Sequence, residues 1–236
     1  MSLPKLVSPT YELELTSTNQ TITFRPFLVK EEKILLIAME SDDKKQITNA
    51  IKTILKNCIL SKIKIEDLAL FDIEYIFLNI RGKSVGEVLN VRLLCPDDKK
   101  TYVDVSINIE DIKINKNKDH DKNIKLTDTI GMIMKYPNLD MFIKNNFSED
   151  TQVDDVFEIA SSCIEQIYDK EEVFEIKNFT KKEVVEFLES LNTEQFLMIQ
   201  KFFDTMPKLK HTVQVRNPNT NVVSDVVIEG MANFFA

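Results

Sequence analysis

Residues 71–112 switch their hydrophobic period from that of a helix to that of strands, and this switch constrains the fold more than any other feature. Four apolar residues spaced i, i+3, i+4 and i+7 mark one helical face: Ile73, Ile76, Phe77 and Ile80. Asp72 is the expected N-cap of that helix. Residues 88–93 and 102–109 then alternate apolar and polar side chains around a turn-forming segment at 95–100. The sequence therefore predicts a helix that leads into an antiparallel β-hairpin.

This part of the chain also resembles a known family. Two segments carry the resemblance together with the hairpin turn that begins Cys95–Pro96: RPFLVKEEKILLIAMES at residues 25–41 and FDIEYIFLNIRGKSVGE at residues 71–87. They resemble the baseplate hub family of T4-type contractile-tailed phages, and the similarity runs from about Phe24 to the C-terminus. That family includes a hub subunit and a related hub-assembly protein. The resemblance implies a non-enzymatic protein whose partners are other hub or tail-tip proteins.

The turn of the central hairpin departs from the pattern of that family. In relatives this turn often reads Cys-x-x-Cys, as in a zinc knuckle, whereas here Cys95 is followed by Pro96, Asp97 and Asp98. The other cysteines and the two histidines stand far apart in the sequence: Cys58, Cys163, His120 and His211. No pair has the spacing of zinc ligands, so we expect neither a metal nor another cofactor.

A second helix and hairpin are predicted near the C-terminus. Residues 211–216 and 222–228 alternate as strands do, and the turn Asn217–Pro218–Asn219–Thr220 aligns with Cys95–Pro96–Asp97–Asp98. Two explanations remain open. The chain contains either a duplicated helix–hairpin unit with degenerate zinc-knuckle-like turns, or two ordinary hairpins that are similar by chance.

Further helices are predicted from apolar stripes and from start signals. Residues 30–40 have helical character, and a helix that starts after the polar cluster at 41–43 carries a regular apolar stripe from Ile47 to Ile59. Residues 153–167 return to the helical period. Thr180 with Glu183 forms a capping-box pattern, and residues 192–195 offer a similar start.

These elements predict an α+β fold in which amphipathic helices pack with small antiparallel hairpins. We expect an N-terminal arm at residues 1–20 and a first half at 21–112. A polar linker follows at 113–123, and the second half spans 124–236. In the second half, residues 124–126 and 130–134 are expected to pair as strands. The half ends in the second hairpin and a short C-terminal helix.

Charge and composition exclude several classes of partner. A formal net charge of −8 argues against a surface that follows nucleic-acid phosphates. The N-terminus lacks the pattern of a signal peptide, and the longest apolar run, at residues 34–39, is far too short to cross a membrane. Three widely spaced cysteines favour a reducing compartment. With the resemblance, these features predict the host cytoplasm during assembly and, as a second location, the tail baseplate of the virion.

Motifs for catalysis do not stand out. The triplet Gly82–Lys83–Ser84 lacks the first glycine of a phosphate-binding loop and follows a helix instead of a strand. Neither histidine is close in sequence to a glycine-flanked serine or cysteine, and no carboxylate pair is set apart from the acidic surface. We expect no small-molecule substrate. Two alternatives remain: an adaptor derived from a zinc-knuckle nucleic-acid-binding module, and an unrecognised hydrolase.

Two aromatic residues near the C-terminus are the candidate partner-binding residues. Phe234 and Phe235 belong to the final segment Met-Ala-Asn-Phe-Phe-Ala. Aromatic side chains dominate both cores and interface hot spots. Phe234 and Phe235 therefore either close the local core or dock into a partner.

Overall fold

The computed structural model describes residues 6–41, 43–141 and 153–230 of the chain. It confirms the predicted α+β class, since helices combine with antiparallel sheets of two to four strands. The chain divides into two compact units. Unit 1 contains the residues up to Asn115 and those from Lys208 onward, and unit 2 contains Lys116–Pro207.

Unit 1 begins with a hairpin and two helices. Their bounds are β1, Tyr11–Glu14; β2, Thr21–Phe24; α1, Val29–Glu40; and α2, Lys44–Cys58. Strand β1, which lies within the predicted arm, pairs with β2 antiparallel. Asp43 caps α2 because its carboxylate accepts hydrogen bonds from the backbone of Lys45 and Gln46. The predicted start of this helix is therefore confirmed.

The apolar stripe of α2 faces the core, as its regular spacing predicts. Most of its members are buried: Ala50, Ile51, Ile54, Leu55, Cys58 and Ile59. Cys58 is fully buried, which agrees with its expected role as a small apolar side chain.

The central helix–hairpin unit is confirmed. It consists of α3, Leu70–Val85; β3, Val88–Leu94; and β4, Tyr102–Asn108. The four apolar residues predicted to share a face are all buried. The prediction for Asp72 was wrong, because the N-cap is Ala69 and Asp72 lies inside the first turn. Its buried carboxylate instead accepts hydrogen bonds from the backbone of Thr16, at 2.8 Å, and Ser17, at 3.1 Å, and from the Ser17 hydroxyl.

The last hairpin belongs to unit 1. It consists of β10, Lys208–Arg216, and β11, Val223–Glu229, and β10 also pairs with β5, Lys113–Asn115. Leu209 and Ile228 of this hairpin pack in one core with Leu78 of α3. The bounds of the compact units therefore differ from those of the predicted halves. The reason is that β10 pairs with β5, which lies in the segment predicted as a linker.

Unit 2 is built on a four-stranded antiparallel sheet with the order β6-β7-β8-β9. The strands are β6, Asn123–Lys125; β7, Gly131–Met134; β8, Ile164–Tyr168; and β9, Val173–Glu175. The helices are α4, Val153–Ser162; α5, Lys181–Glu189; and α6, Thr193–Thr205. The predicted pairing of β6 with β7 is confirmed, and capping boxes at Thr180 and Asn192 open α5 and α6.

The predicted helix at 153–167 ends earlier than its apolar period suggests. The backbone N–H of Cys163 still donates to Ile159 and Ala160, but the Cys163 carbonyl accepts from Lys135, beside the sheet. Ile164 and the residues after it then pair with β7. The short apolar segment that begins at Ile164 fits both the helical and the strand period. It forms a strand because β7 offers an edge with which it can pair.

His120, which the sequence placed in the linker, belongs to the packed part of unit 2. Its ring stacks on Tyr136, with centroids 5.5 Å apart, and lies 5.1 Å from the ring of Phe202. The Nδ1 and Nε2 atoms make hydrogen bonds with the hydroxyls of Thr205 and Tyr136, at 3.0 and 3.1 Å. Burial lowers the pKa of this imidazole.

Candidate interaction surfaces

The turn of the central hairpin is closed by its own backbone. The N–H of Cys95 donates to the carbonyl of Thr101 at 2.8 Å, and the N–H of Lys99 donates to the carbonyl of Cys95 at 3.0 Å. Lys99 has a φ of 53°, which is the left-handed region. Asp98 accepts three hydrogen bonds inside this turn, from the backbone of Lys100 and from the backbone and hydroxyl of Thr101. They hold the pKa of Asp98 far below its ordinary value.

The turn of the second hairpin repeats this backbone pattern. The N–H of Asn217 donates to the carbonyl of Val222 at 2.9 Å, and the N–H of Asn221 donates to the carbonyl of Asn217 at 2.8 Å. Asn221 has a φ of 61°, at the position that corresponds to Lys99. The alignment of the two turns made from the sequence is thus matched by their backbone geometry, while a duplication stays a prediction.

The two turns contact each other through their polar side chains. The Asn217 amide donates to both carboxylate oxygens of Asp97, at 3.0 and 3.1 Å, and the Thr220 hydroxyl donates to Asp97 Oδ2 at 2.5 Å. The Asn219 amide donates to the Thr101 hydroxyl at 2.9 Å. The bonds from Thr220 and Asn217 lower the pKa of Asp97, so this carboxylate is ionised at neutral pH. We call this set of contacts the turn cluster.

The donor set of the turn cluster does not fit zinc. The positions of a paired Cys-x-x-Cys site are occupied by Cys95, Asp98, Asn217 and Thr220, and only the first is a thiol. In residues 6–41, 43–141 and 153–230, no group of three or more His, Cys, Asp or Glu is arranged to hold a metal ion. The contacts observed between the two turns are the hydrogen bonds of the turn cluster.

The three cysteines carry free, buried thiols. Burial raises the pKa of Cys58 to about 11 and that of Cys163 to about 12, and it raises the pKa of Cys95 as well. All three are therefore neutral at physiological pH, which is the unreactive form of a thiol.

Helix α1 is fixed at its start by a buried ion pair. Glu31 is fully buried, and its carboxylate accepts from Arg25 at 3.1 Å and from the backbone N–H of Leu28 at 2.9 Å. Burial opposes the ionisation of Glu31. The hydrogen bonds from Arg25 and Leu28 outweigh that effect, so the net pKa is lowered. This pair holds the first turn of α1 in one place.

Helix α1 exposes several large apolar side chains. Val29 is 80% exposed, and Leu36 and Ile37 are each 55% exposed, while Leu28 and Met39 are exposed at the two ends of the helix. Leu36 lies two turns from Val29, and Met39 one turn from Leu36, so these residues share a side of the helix. We call the exposed apolar residues Leu28, Val29, Leu36, Ile37 and Met39 the α1 face. Several large apolar side chains exposed on one helix are a common mark of an interaction site.

The exposed face of α1 was not predicted from the sequence, although the helix itself was. The signal was present, because residues 34–39 are apolar without interruption and one side of a helix cannot bury all of them. The predicted partner-binding residues, Phe234 and Phe235, and the predicted C-terminal helix lie outside the described residues, so both remain predictions.

The helices within the described ranges include no candidate for a membrane span.

Comparisons with known proteins place the chain in one family. The sequence model of the family described as T4 bacteriophage base plate protein matches residues 8–236. No curated protein matches the chain significantly. No solved structure does so either.

Proposed function

Because the chain belongs to the family of T4 bacteriophage base plate proteins, we propose that it acts in the hub of the tail baseplate, as a subunit or as an assembly factor. In this role it binds other proteins and catalyses no reaction. Its partners are other hub or tail-tip proteins, and it meets them in the host cytoplasm while the tail is assembled.

The family match is the observation that carries this proposal. It spans residues 8–236, and so includes both compact units, and it points to a structural or assembly role in the baseplate. The hub is the finer part of the proposal. It is supported by the two segments that resemble the hub family, which form α1 and α3 in unit 1.

The α1 face supports a role in protein binding. Its apolar side chains contact water in the free chain, and covering them with a partner releases that water, which is favourable by roughly 25 cal/mol per Å² of buried apolar area. The pair of Arg25 and Glu31 fixes the start of the helix, so the backbone that presents the face is already ordered in the free chain.

Quantitative mass spectrometry of purified tails and of baseplate assembly intermediates tests the proposal. A stoichiometric amount in finished tails identifies a subunit, whereas presence in intermediates alone identifies an assembly factor. Chemical cross-linking of the same samples tests the hub, because the cross-links should connect this chain to proteins at the centre of the baseplate. Absence from both samples overturns the proposal, and cross-links only to peripheral proteins overturn its hub part.

Phe234 and Phe235 are tested in the same samples. If they dock into a partner, a variant with Phe234→Ala and Phe235→Ala keeps its stability and loses incorporation. If they close the local core, the variant loses stability instead.

A further inference from the structure

Unit 2 contains an open groove of about 330 Å³ between the β8–β9 edge of the sheet and helix α5. Most of its lining is apolar or aromatic: Ile130, Ile167, Phe174, Phe179, Val184 and Phe187. Phe174 and Phe179 meet edge to face, with ring centroids 6.3 Å apart. A concave apolar surface with aromatic walls is the usual form of a binding site.

Apolar side chains also remain exposed around the groove. Phe179 is 41% exposed, and Val173, on the edge strand β9, is 54% exposed. A large aromatic side chain that is anchored against another ring and still faces water resembles the anchoring residues of protein interfaces. This part of unit 2 therefore has surface to bury against a ligand.

Two carboxylates stand at the groove, Asp169 and Glu183. Asp169 accepts from the backbone N–H of Glu171 and Glu172, both at 2.8 Å, and Glu183 accepts from the backbone and hydroxyl of Thr180, both at 2.7 Å. These bonds lower the pKa of both carboxyl groups. The groove is therefore flanked by fixed negative charge at neutral pH.

Most of the nearby lysines are paired with other carboxylates. Three of them form ion pairs with glutamates: Lys177 with Glu175, Lys181 with Glu158, and Lys182 with Glu186. Residues 165–190 contain eight acidic and four basic side chains, so the surface around the groove has a negative balance. Such a field attracts cationic ligands and repels the phosphates of nucleic acids and of anionic lipids.

We propose that this groove binds a short segment of another tail protein in which an apolar or aromatic residue is flanked by lysine or arginine. The apolar side chain enters the groove between Phe174, Phe179 and Phe187, and the flanking cations face Asp169 and Glu183. This inference rests on the proposed function, because the groove would be one site through which the chain binds another tail protein.

Binding of the full chain to overlapping short peptides that cover the other tail proteins of the same phage tests this site. The wild-type chain should bind peptides that have an apolar residue between basic ones. Phe179→Ser should weaken that binding about tenfold or more, as loss of an interface anchor does. Leu197→Ser is the matched control, because Leu197 is an exposed apolar residue of the same unit that does not line the groove.

A second variant tests the charge. Glu171→Lys with Glu172→Lys reverses two exposed charges beside the groove and should weaken binding, with the difference shrinking as salt is added. Thermal unfolding of each variant shows whether it is folded. Leu197→Ser and the charge variant should keep the wild-type midpoint, whereas Phe179→Ser loses a ring contact with Phe174 and its binding is compared at a temperature where it is fully folded.

Three outcomes would overturn the groove assignment: no peptide bound by the wild type, equal binding by the Phe179→Ser variant, or a preference for acidic peptides. Each is distinct from failure of the proposed function, which is judged by the presence of the chain in tails or intermediates. A chain that is found in tails but binds no basic peptide retains its function and loses only this site.

Discussion

The side-chain amide of Asn217 donates hydrogen bonds to both carboxylate oxygens of Asp97, a residue 120 positions earlier in the chain. Asn217 is only 1% exposed, and its side-chain oxygen Oδ1 accepts hydrogen bonds from the backbone N–H groups of Asn219 and Thr220. One side chain thus orders its own turn and joins it to the turn of the other hairpin.

Asn217→Ala should lower the free energy of unfolding by about 1–3 kcal/mol, because buried donors and acceptors lose their partners. Urea denaturation followed by circular dichroism measures this change. Asn221→Gly is the control in the same turn. Glycine adopts the positive φ of that position without strain, so this variant should stay close to the wild type. Wild-type stability of the Asn217→Ala variant would show that the turn cluster contributes little.

Three substitutions should convert the turn cluster into a zinc site. Asp98→Cys, Asn217→Cys and Thr220→Cys, combined with the native Cys95, place two Cys-x-x-Cys pairs on turns that keep the hydrogen bond from Asn219 to Thr101. We expect this variant to bind a single Zn²⁺ per chain and to unfold at a higher temperature with zinc than without it. Adding Cys95→Ser to the same variant should weaken binding. If the four-thiol variant takes up no zinc, the turns do not present these positions to a common point.

Asp72→Ala should lower the free energy of unfolding by about 1.5–3 kcal/mol, because the backbone N–H groups of Thr16 and Ser17 lose a charged acceptor. Amide hydrogen exchange of these two residues should accelerate as well. Thr18→Ala is the control, since Thr18 is exposed in the same turn and makes only a 3.4 Å contact with Gln20. Unchanged exchange at Thr16 and Ser17 would contradict the role of Asp72.

Stability should depend on pH through His120. Its pKa is lower in the folded chain than in the unfolded chain, where it is about 6.5, because burial disfavours the imidazolium. The unfolded state then binds more protons, so the stabilisation is present above about pH 6.5 and is lost as the pH falls through the folded value. Urea denaturation across this range, with His120→Phe as the comparison, measures the effect. If the free energy of unfolding changes with pH equally in the wild type and in the His120→Phe variant, His120 is not the source of the pH dependence.

Leu36→Glu with Ile37→Glu should remove a partner and leave the fold intact. Both residues are exposed, so the free energy of unfolding should change by no more than about 0.5 kcal/mol. Incorporation of the chain into tails or intermediates, measured by mass spectrometry, should fall. Lys62→Glu changes the charge of an exposed residue of unit 1 that lies outside α1, and it is the control. Normal incorporation of the double variant would show that the α1 face binds no partner.

Local sequence patterns determined most of the helices and hairpins. The spacing of Ile73, Ile76, Phe77 and Ile80 fixed the buried face of α3, and the capping residues Asp43, Thr180 and Asn192 marked the starts of three helices. These signals are reliable because they act between residues a few positions apart, so no other part of the chain is needed to interpret them.

Tertiary structure decided what depends on distant partners. Asp72 is a residue type that often caps helices, yet its carboxylate accepts hydrogen bonds from the β1–β2 turn. Ile164 continues a helical period, yet it pairs with β7. The last hairpin joins unit 1 because β10 pairs with β5, about a hundred residues earlier. Asp97 and Asn217 are far apart in the sequence and become partners because the two hairpin turns lie side by side. In each case a local pattern allows two structures, and the burial or hydrogen bonds supplied by a remote segment select one of them.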